Sequence, residues 1–263
     1  MDLKLTNKLA LVTGSTAGIG RAIVEALARE GARVIVNGRT QAAVDAAIAE
    51  IKSSTGADVL GFAGDLGTAA AADELGRQYP DVDILINNLG IFEAKPFEEI
   101  PDDDWMRFFE VNVLSGVRLA RLYLPSMRQR NWGRIIFISS ESAIQIPTEM
   151  IHYGTTKTAQ LAVARGLAEA VAGTGITVNS ILPGPTRSRG VRDFVESLGA
   201  AQGMSFEQTE KEFFEKARPT SLIKRFAAPE EVASLVAYIA SPLASATTGA
   251  ALRADGGVVK SVV

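Results

Sequence analysis

The sequence predicts an open α/β sheet, doubly wound, with helices on both faces. Three observations predict it. Short apolar runs rich in Val, Ile and Leu recur without polar alternation, the pattern of strands buried on both faces of a parallel sheet. Longer segments of helical pattern lie between them. The first apolar run also passes through a glycine-rich turn straight into the first helical pattern.

In chain order, Leu9-Ala-Leu-Val-Thr13 predicts the first strand and 19–30 the first helix. Arg33-Val-Ile-Val-Asn37 is the second strand, followed by a helix over 41–52. A third strand is expected at 58–62 with a helix at 69–79, and a fourth at 84–87 with one long helix at 103–130. Strands at 134–139 and 177–182 flank a helix at 150–172, and a helix at 230–241 precedes the last strand at 250–254. One segment breaks this rhythm: from Pro183 to about Phe226 no strand is expected, but Phe194, Phe206, Phe213 and Phe214 are scattered among charges. It follows the sixth strand at the ligand-binding edge of such sheets, where a long insertion reads as a substrate lid, over 185–226. No repeat or low-complexity linker appears, so the expectation is a single dinucleotide-binding and catalytic domain over 1–263.

The chain has 263 residues, 47% hydrophobic and 22% charged, an ordinary globular composition. A net charge of -3 and the lack of any basic block argue against nucleic acid as a partner. No cysteine is present, which excludes disulfides, thiolate catalysis and Cys-ligated metals, and a single histidine, His152, excludes a His-rich metal site. No apolar stretch is long enough to span a bilayer and none at the N-terminus reads as a signal, so a cytoplasmic enzyme without a membrane partner is expected.

The turn reads Thr13-Gly14-Ser15-Thr16-Ala17-Gly18-Ile19-Gly20. Its glycines permit close approach of a pyrophosphate to backbone N–H groups, and the helix N-terminus aims partial positive charge at the same anion. The second strand ends Asn37-Gly38-Arg39. An acidic residue there would bond the ribose hydroxyls of NAD; a guanidinium instead suits a 2′-phosphate, so NADP(H) is preferred, with NAD(H) the alternative. Asp65-Leu66 and Asn87-Asn88-Leu89-Gly90 stand at the next two strand ends. Asp65 can accept from an adenine amino group, and Asn87 can tie strands together or approach the ribose; each can also be a plain turn residue.

Tyr153 and Lys157 are four residues apart on a helical pattern and share a face. A phenol with pKa ~10 is a poor base at neutral pH, and a nearby ammonium lowers that value. Ser140 ends the fifth strand, where its hydroxyl can polarise a carbonyl oxygen that Tyr153 protonates. Asn112 falls inside a helix, where propensity alone does not favour it. His152 adjoins Tyr153, but neighbouring helix positions point about 100° apart, so it is expected to face elsewhere.

Together these motifs resemble the short-chain dehydrogenase/reductase family over nearly the whole chain, in its single-domain form. Asn179-Ser-Ile-Leu-Pro183-Gly184, Pro229-Glu230-Glu231, Thr248-Gly249 and Asp255-Gly256-Gly257 extend the likeness. The resemblance implies a Rossmann-type parallel sheet of order 3-2-1-4-5-6-7 and metal-free hydride exchange between a nicotinamide and a carbonyl or secondary alcohol. A 3-oxoacyl thioester is the substrate such a chain first suggests, and a sugar, polyol or steroid alcohol remains open. It implies Tyr153 as general acid/base, Lys157 on the nicotinamide ribose, Ser140 on the substrate oxygen, and Asn112 holding a relay water. Gly14, Ser15, Thr16, Gly18, Ile19, Gly20, Arg39, Asp65, Leu66, Asn88, Gly90, Pro183, Gly184, Thr186 and Ser188 would surround the cofactor. A homotetramer is also implied, paired through the long helices and the last strand.

The chain departs from the family pattern at three places. Leu89 replaces the usual alanine, Ala17 stands where many NADP-preferring members carry a basic residue, and Ser188 or Thr186 takes the position of a carboxamide-contacting threonine. Glu141, Ile144, Gln145, Ile146 and Met150 are expected to shape the substrate pocket. Arg187, Arg189 and Arg192 read either as a solvated face or as a site for a carboxylate or carrier phosphate.

Overall fold

Alternation within each strand feeds two separate cores. Along β1 (Leu9–Val12) Ala10 and Val12 enter one layer and Leu11 the other; along β4 (Ile84–Asn87) Ile84 and Ile86 oppose Leu85 in the same way. The remaining strands are β2 (Arg33–Gly38), β3 (Leu60–Ala63), β5 (Gly133–Ile138), β6 (Ile176–Pro183) and β7 (Ala251–Ala254). All pairs are parallel, and the order is β3-β2-β1-β4-β5-β6-β7. The computed structural model describes residues 1–187 and 205–262.

Helices cover both faces, as two-sided apolar strands demand. On one side α1 (Gly18–Arg29) contributes Ile23, Val24 and Leu27, and α2 (Gln41–Thr55) adds Ala47 and Ile51. On the other side α3 (Ala69–Gln78) contributes Leu75 and α5 (Ser115–Gln129) Leu119, Tyr123 and Met127. The second layer is completed by Ala164 and Ala168 of α6 (Ile151–Ala170). Thr40 and Thr68 cap α2 and α3 by accepting from Ala43 N–H and Ala71 N–H, each at 3.3 Å.

The helix expected over 103–130 is interrupted. It begins as α4 (Asp102–Phe109), widens to π winding over Glu110–Leu114, and resumes as α5. Asn112 sits in the wide turn, where its side chain bonds the loop after β4 and α6. The third strand begins at Leu60, two residues later than expected, and pairs with β2 from Ile35 onward.

Beyond β6, Thr186 bridges Ala227 and α7 (Phe206–Lys216) packs Phe206, Phe213 and Phe214 about Phe226. Phe194, Ser188, Arg189 and Arg192 lie outside the described residues. After this segment α8 (Pro229–Ala240) returns to the α1 layer through Val232, Ala233 and Val236. Because every strand is parallel, the turn after β1 and the ends of β2, β4, β5 and β6 gather at one edge.

Candidate active site

The glycine turn is stitched together from behind. Gly14 and Gly18 adopt φ of +58°, a region open to glycine. Ser15 is buried: its hydroxyl donates to Val12 O at 2.7 Å and accepts from Asn37 N–H at 2.9 Å. Gly14 N–H donates to Asn37 Oδ1 at 3.0 Å, and Thr13 Oγ1 accepts from Asn88 N–H and Leu89 N–H at 2.9 and 2.8 Å. Asn88 Nδ2 donates to Thr13 O and Gly14 O. Thus Ser15 and Asn88 use their side chains to hold the turn rather than to reach outward. Thr13 and Asn37, which the sequence did not single out as site residues, do the same work; their only signal was position at strand ends.

No side chain caps the N-terminus of α1, so its first-turn N–H groups remain for an anion. Gly20 is needed for packing: a Cβ there would lie 2.5 Å from Asn88 Nδ2, 2.6 Å from Gly14 O and 2.9 Å from Ser15 Cα. Two of those atoms are backbone. Gly20→Ala is therefore expected to destabilise the fold by about 2 kcal/mol, read by urea unfolding; unchanged stability would show that the turn shifts freely.

The other predicted cofactor residues divide. Gly14, Gly18, Ile19, Gly20, Asn88, Gly90, Pro183, Gly184 and Thr186 line one cavity of about 640 Å³ together with Ser140, Tyr153 and Lys157. Arg39 is exposed just beyond β2, and among the described residues nothing pairs with it. Thr16 stands at the same tip: its methyl occupies the space a Cβ on Gly38 would need. Asp65 is exposed and accepts from Gly67 N–H at 3.0 Å, the bond of a turn residue. The Leu66 side chain is in the core. Asn87 does not tie the strands together: it is buried, and its amide has no partner among the described residues.

Tyr153 and Lys157 do share a face of α6. Lys157 Nζ lies 5.7 Å from the Tyr153 ring centroid, and Phe92 packs edge-on against that ring at 6.4 Å. The ammonium is aimed away from the phenol, donating to Ile138 O at 2.9 Å and Gln160 Oε1 at 3.3 Å. The expected lowering of the phenol by the ammonium is thus overturned in the protein alone. Burial pushes Tyr153 up to about 12, with Ser140 and Arg218 offsetting part of the rise, and pushes Lys157 down to about 7.

Asn112 is fully buried. Its Oδ1 accepts from Ile91 N–H at 2.8 Å, and Nδ2 donates to Ile91 O and Thr156 Oγ1. Its backbone oxygen accepts from Gln160 Nε2 at 2.5 Å. Gln160, a buried residue the sequence reading missed, joins Lys157 to the backbone of Asn112. Its visible signal was a long polar side chain one turn beyond Lys157 on the same helix.

Ser140 lies two residues beyond β5 and donates to Glu141 Oε2 at 2.8 Å. Glu141 is 5% exposed and pairs with Arg218 Nε at 3.0 Å. Glu141 and Met150 line the cavity, whereas Ile144, Gln145 and Ile146 do not. Arg218 was also missed by the sequence reading. Arg187 pairs with Glu210 at 3.5 Å. His152 faces away from the cavity, buried against Phe108 at 4.1 Å and Trp105 at 6.1 Å, and burial lowers its pKa. Among the described residues no His, Cys, Asp and Glu cluster could hold a metal, and no helix is long and apolar enough to cross a membrane.

Comparison with known proteins agrees with this geometry. The family model for short chain dehydrogenase matches residues 8–198. Uncharacterized oxidoreductase YvaG of Bacillus subtilis is 52% identical over all of both chains. D-beta-hydroxybutyrate dehydrogenase of Cupriavidus necator is 35% identical over 97% of this chain and 99% of its own. The crystal structure of L-sorbose reductase from Gluconobacter frateurii, complexed with NADPH and L-sorbose, superposes with a TM-score of 0.93 at 32% identity, covering all of both chains. A glycine turn at the head of a seven-stranded parallel sheet, with Ser140, Tyr153 and Lys157 around the cavity beside it, thus has its counterpart in sequence: this chain belongs to the short-chain dehydrogenase family of oxidoreductases.

Proposed function

We propose that the protein is an NADP(H)-dependent oxidoreductase exchanging a hydride with a carbonyl or secondary alcohol carbon. The observation that carries this reading is the shared cavity: Tyr153, Lys157 and Ser140 line the same space as the glycine turn and the free N-terminus of α1. The turn and first-turn N–H groups fit a pyrophosphate. Gly90 fits the same reading, since a Cβ there would come within 3.3 Å of Lys157 Nζ.

When bound, the nicotinamide supplies or accepts the hydride. The chain supplies the proton and the geometry. In reduction, the Tyr153 phenol gives its proton to the developing alkoxide; in oxidation, the phenolate takes it back. Ser140 orients the substrate oxygen, and Lys157 donates to the ribose hydroxyls. Gln160 holds Lys157 against Asn112. Thr186 is the carboxamide candidate among the described residues, its own hydroxyl donating to Gly184 O at 2.9 Å. The lid reading of 185–226 is supported within its described residues, 185–187 and 205–226, by Phe213 of α7 and by Phe226, which line the cavity; 188–204 lie outside the described residues.

Preference for NADP(H) over NAD(H) rests on exposed Arg39, and the NADPH complex of the sorbose reductase supports it. The ratio of kcat/KM for NADPH to that for NADH is expected to fall about 10- to 100-fold in Arg39→Ala. A ratio that stays put assigns the preference elsewhere. A non-catalytic cofactor-binding role is disfavoured because both Tyr153 and Lys157 are retained. For assembly we favour a homo-oligomer, supported by exposed Met106 and Leu114 along the α4–α5 arm; light scattering reads the state.

A further inference from the structure

Hydride exchange does not explain why a buried carboxylate stands beside the hydroxyl that is to hold the substrate oxygen. Glu141 Oε2 accepts from Ser140 Oγ at 2.8 Å and from Ser142 Oγ at 2.5 Å, and Oε1 accepts from Arg218 Nε at 3.0 Å. A carboxylate offers about four acceptor positions. One therefore remains, on Oε1, and Glu141 is part of the cavity wall.

We propose that Glu141 accepts a hydrogen bond from a hydroxyl on the carbon next to the reacting carbon, so that the protein acts on α-hydroxy ketones and the matching vicinal diols. This rests on the oxidoreductase reading above. Ser140 has one hydroxyl hydrogen; turned to a substrate carbonyl it leaves Glu141 Oε2, and the acceptor position so freed lies 2.8 Å from Ser140 Oγ. Oxygens on adjacent carbons are separated by about the same interval, so the second oxygen of such a substrate reaches Glu141 without straining the first. That second oxygen must carry a hydrogen, since the carboxylate only accepts.

The charge balance of the wall points the same way. Glu141 and Glu149 both line the cavity and share one guanidinium, Arg218, at 3.0 and 3.3 Å. At this corner, away from Lys157, two carboxylates face one guanidinium, which disfavours an anionic group beside Glu141. An acyl chain laid on Glu141 would leave a buried acceptor unfilled. Beyond this polar corner Phe92, Met150, Phe213 and Phe226 form an apolar wall suited to the carbon skeleton. In the reaction, hydride adds to the carbonyl carbon and the C=O π pair moves onto oxygen. That oxygen takes the Tyr153 proton, the reduced nicotinamide becomes oxidised, and the neighbouring hydroxyl is unchanged.

The test is NADPH consumption by the full chain with 3-hydroxybutan-2-one, butan-2-one and butane-2,3-dione. These share a skeleton and differ only at the second carbon, which bears a donor hydroxyl, no oxygen, or an oxygen that cannot donate. The hydroxy ketone is expected to exceed both others in kcat/KM by about 10- to 100-fold, and Glu141→Gln to shrink that ratio by about 10-fold or more. Equal kcat/KM values for the three, or a ratio that Glu141→Gln leaves intact, overturn the role of Glu141 while carbonyl reduction stands. No NADPH consumption with any of the three overturns the α-hydroxy ketone proposal, and the oxidoreductase reading falls with it only if a fluorescence titration also shows that NADPH does not bind. The wild-type ratios decide the matter even where the variant does not fold.

Discussion

Tyr153→Phe lowers kcat/KM for carbonyl reduction by about 10³-fold and leaves the Kd for NADPH within about threefold of wild type. The phenol lines the cavity beside Ser140 and is the proposed proton donor, and phenylalanine preserves its ring contact with Phe92. Burial holds the Tyr153 hydroxyl up at about 12 in the protein alone, so the acid form needed for reduction prevails throughout neutral pH. Reduction is accordingly expected to show little dependence on pH between about 6 and 8 from this group, whereas oxidation, which needs the phenolate, rises with pH. Steady-state rates in both directions and a fluorescence titration with NADPH check the result. Reduction by the Phe variant at a tenth of the wild-type rate or better removes Tyr153 as the proton donor.

The sheet was legible because its strands are apolar on both faces. Leu9-Ala-Leu-Val and Ile84-Leu-Ile can be satisfied only between two helical layers, and the two cores receive their alternate residues. The glycine turn was legible because a strand, a turn and a helix meet there in sequence. What was less legible depended on side-chain direction. Spacing put Tyr153 and Lys157 on one face but could not say that the ammonium would turn to Ile138 O and Gln160. The long helix broke at Asn112 because its side chain found better partners in Ile91 and Thr156, a tertiary bond with no local signature. Arg218 reaches Glu141 from 77 positions along the chain, so neither residue announces the pair. The side chains of Ser15 and Asn88 tie the turn from behind, a direction that spacing does not give. A strand end supplies both outward groups and inward ties, and composition does not separate them.

Lys157→Met exposes a conflict between stability and activity at this site. Burial alone holds the Lys157 ammonium down at about 7 against an ordinary 10.5. Between those values the unfolded chain keeps a proton that the folded chain has lost, so the wild-type fold gains stability as pH rises through that window. Below about 7 the charge is buried in full and the penalty is complete. The methionine variant lacks this term. Its lost bonds to Ile138 O and Gln160 Oε1 add an offset that varies little with pH. The Tm of the variant minus that of wild type, measured without cofactor, is therefore expected to be more positive at pH 6 than at pH 10, by on the order of 5 °C. In the same variant kcat/KM is expected to fall by about 10²-fold or more, because the proposed donor to the ribose hydroxyls is gone. A Tm difference that is flat with pH means that Lys157 keeps its proton in the folded chain. Its two carbonyl acceptors, with Gln160 tied in turn to Asn112, would then be enough to hold a buried ammonium charged.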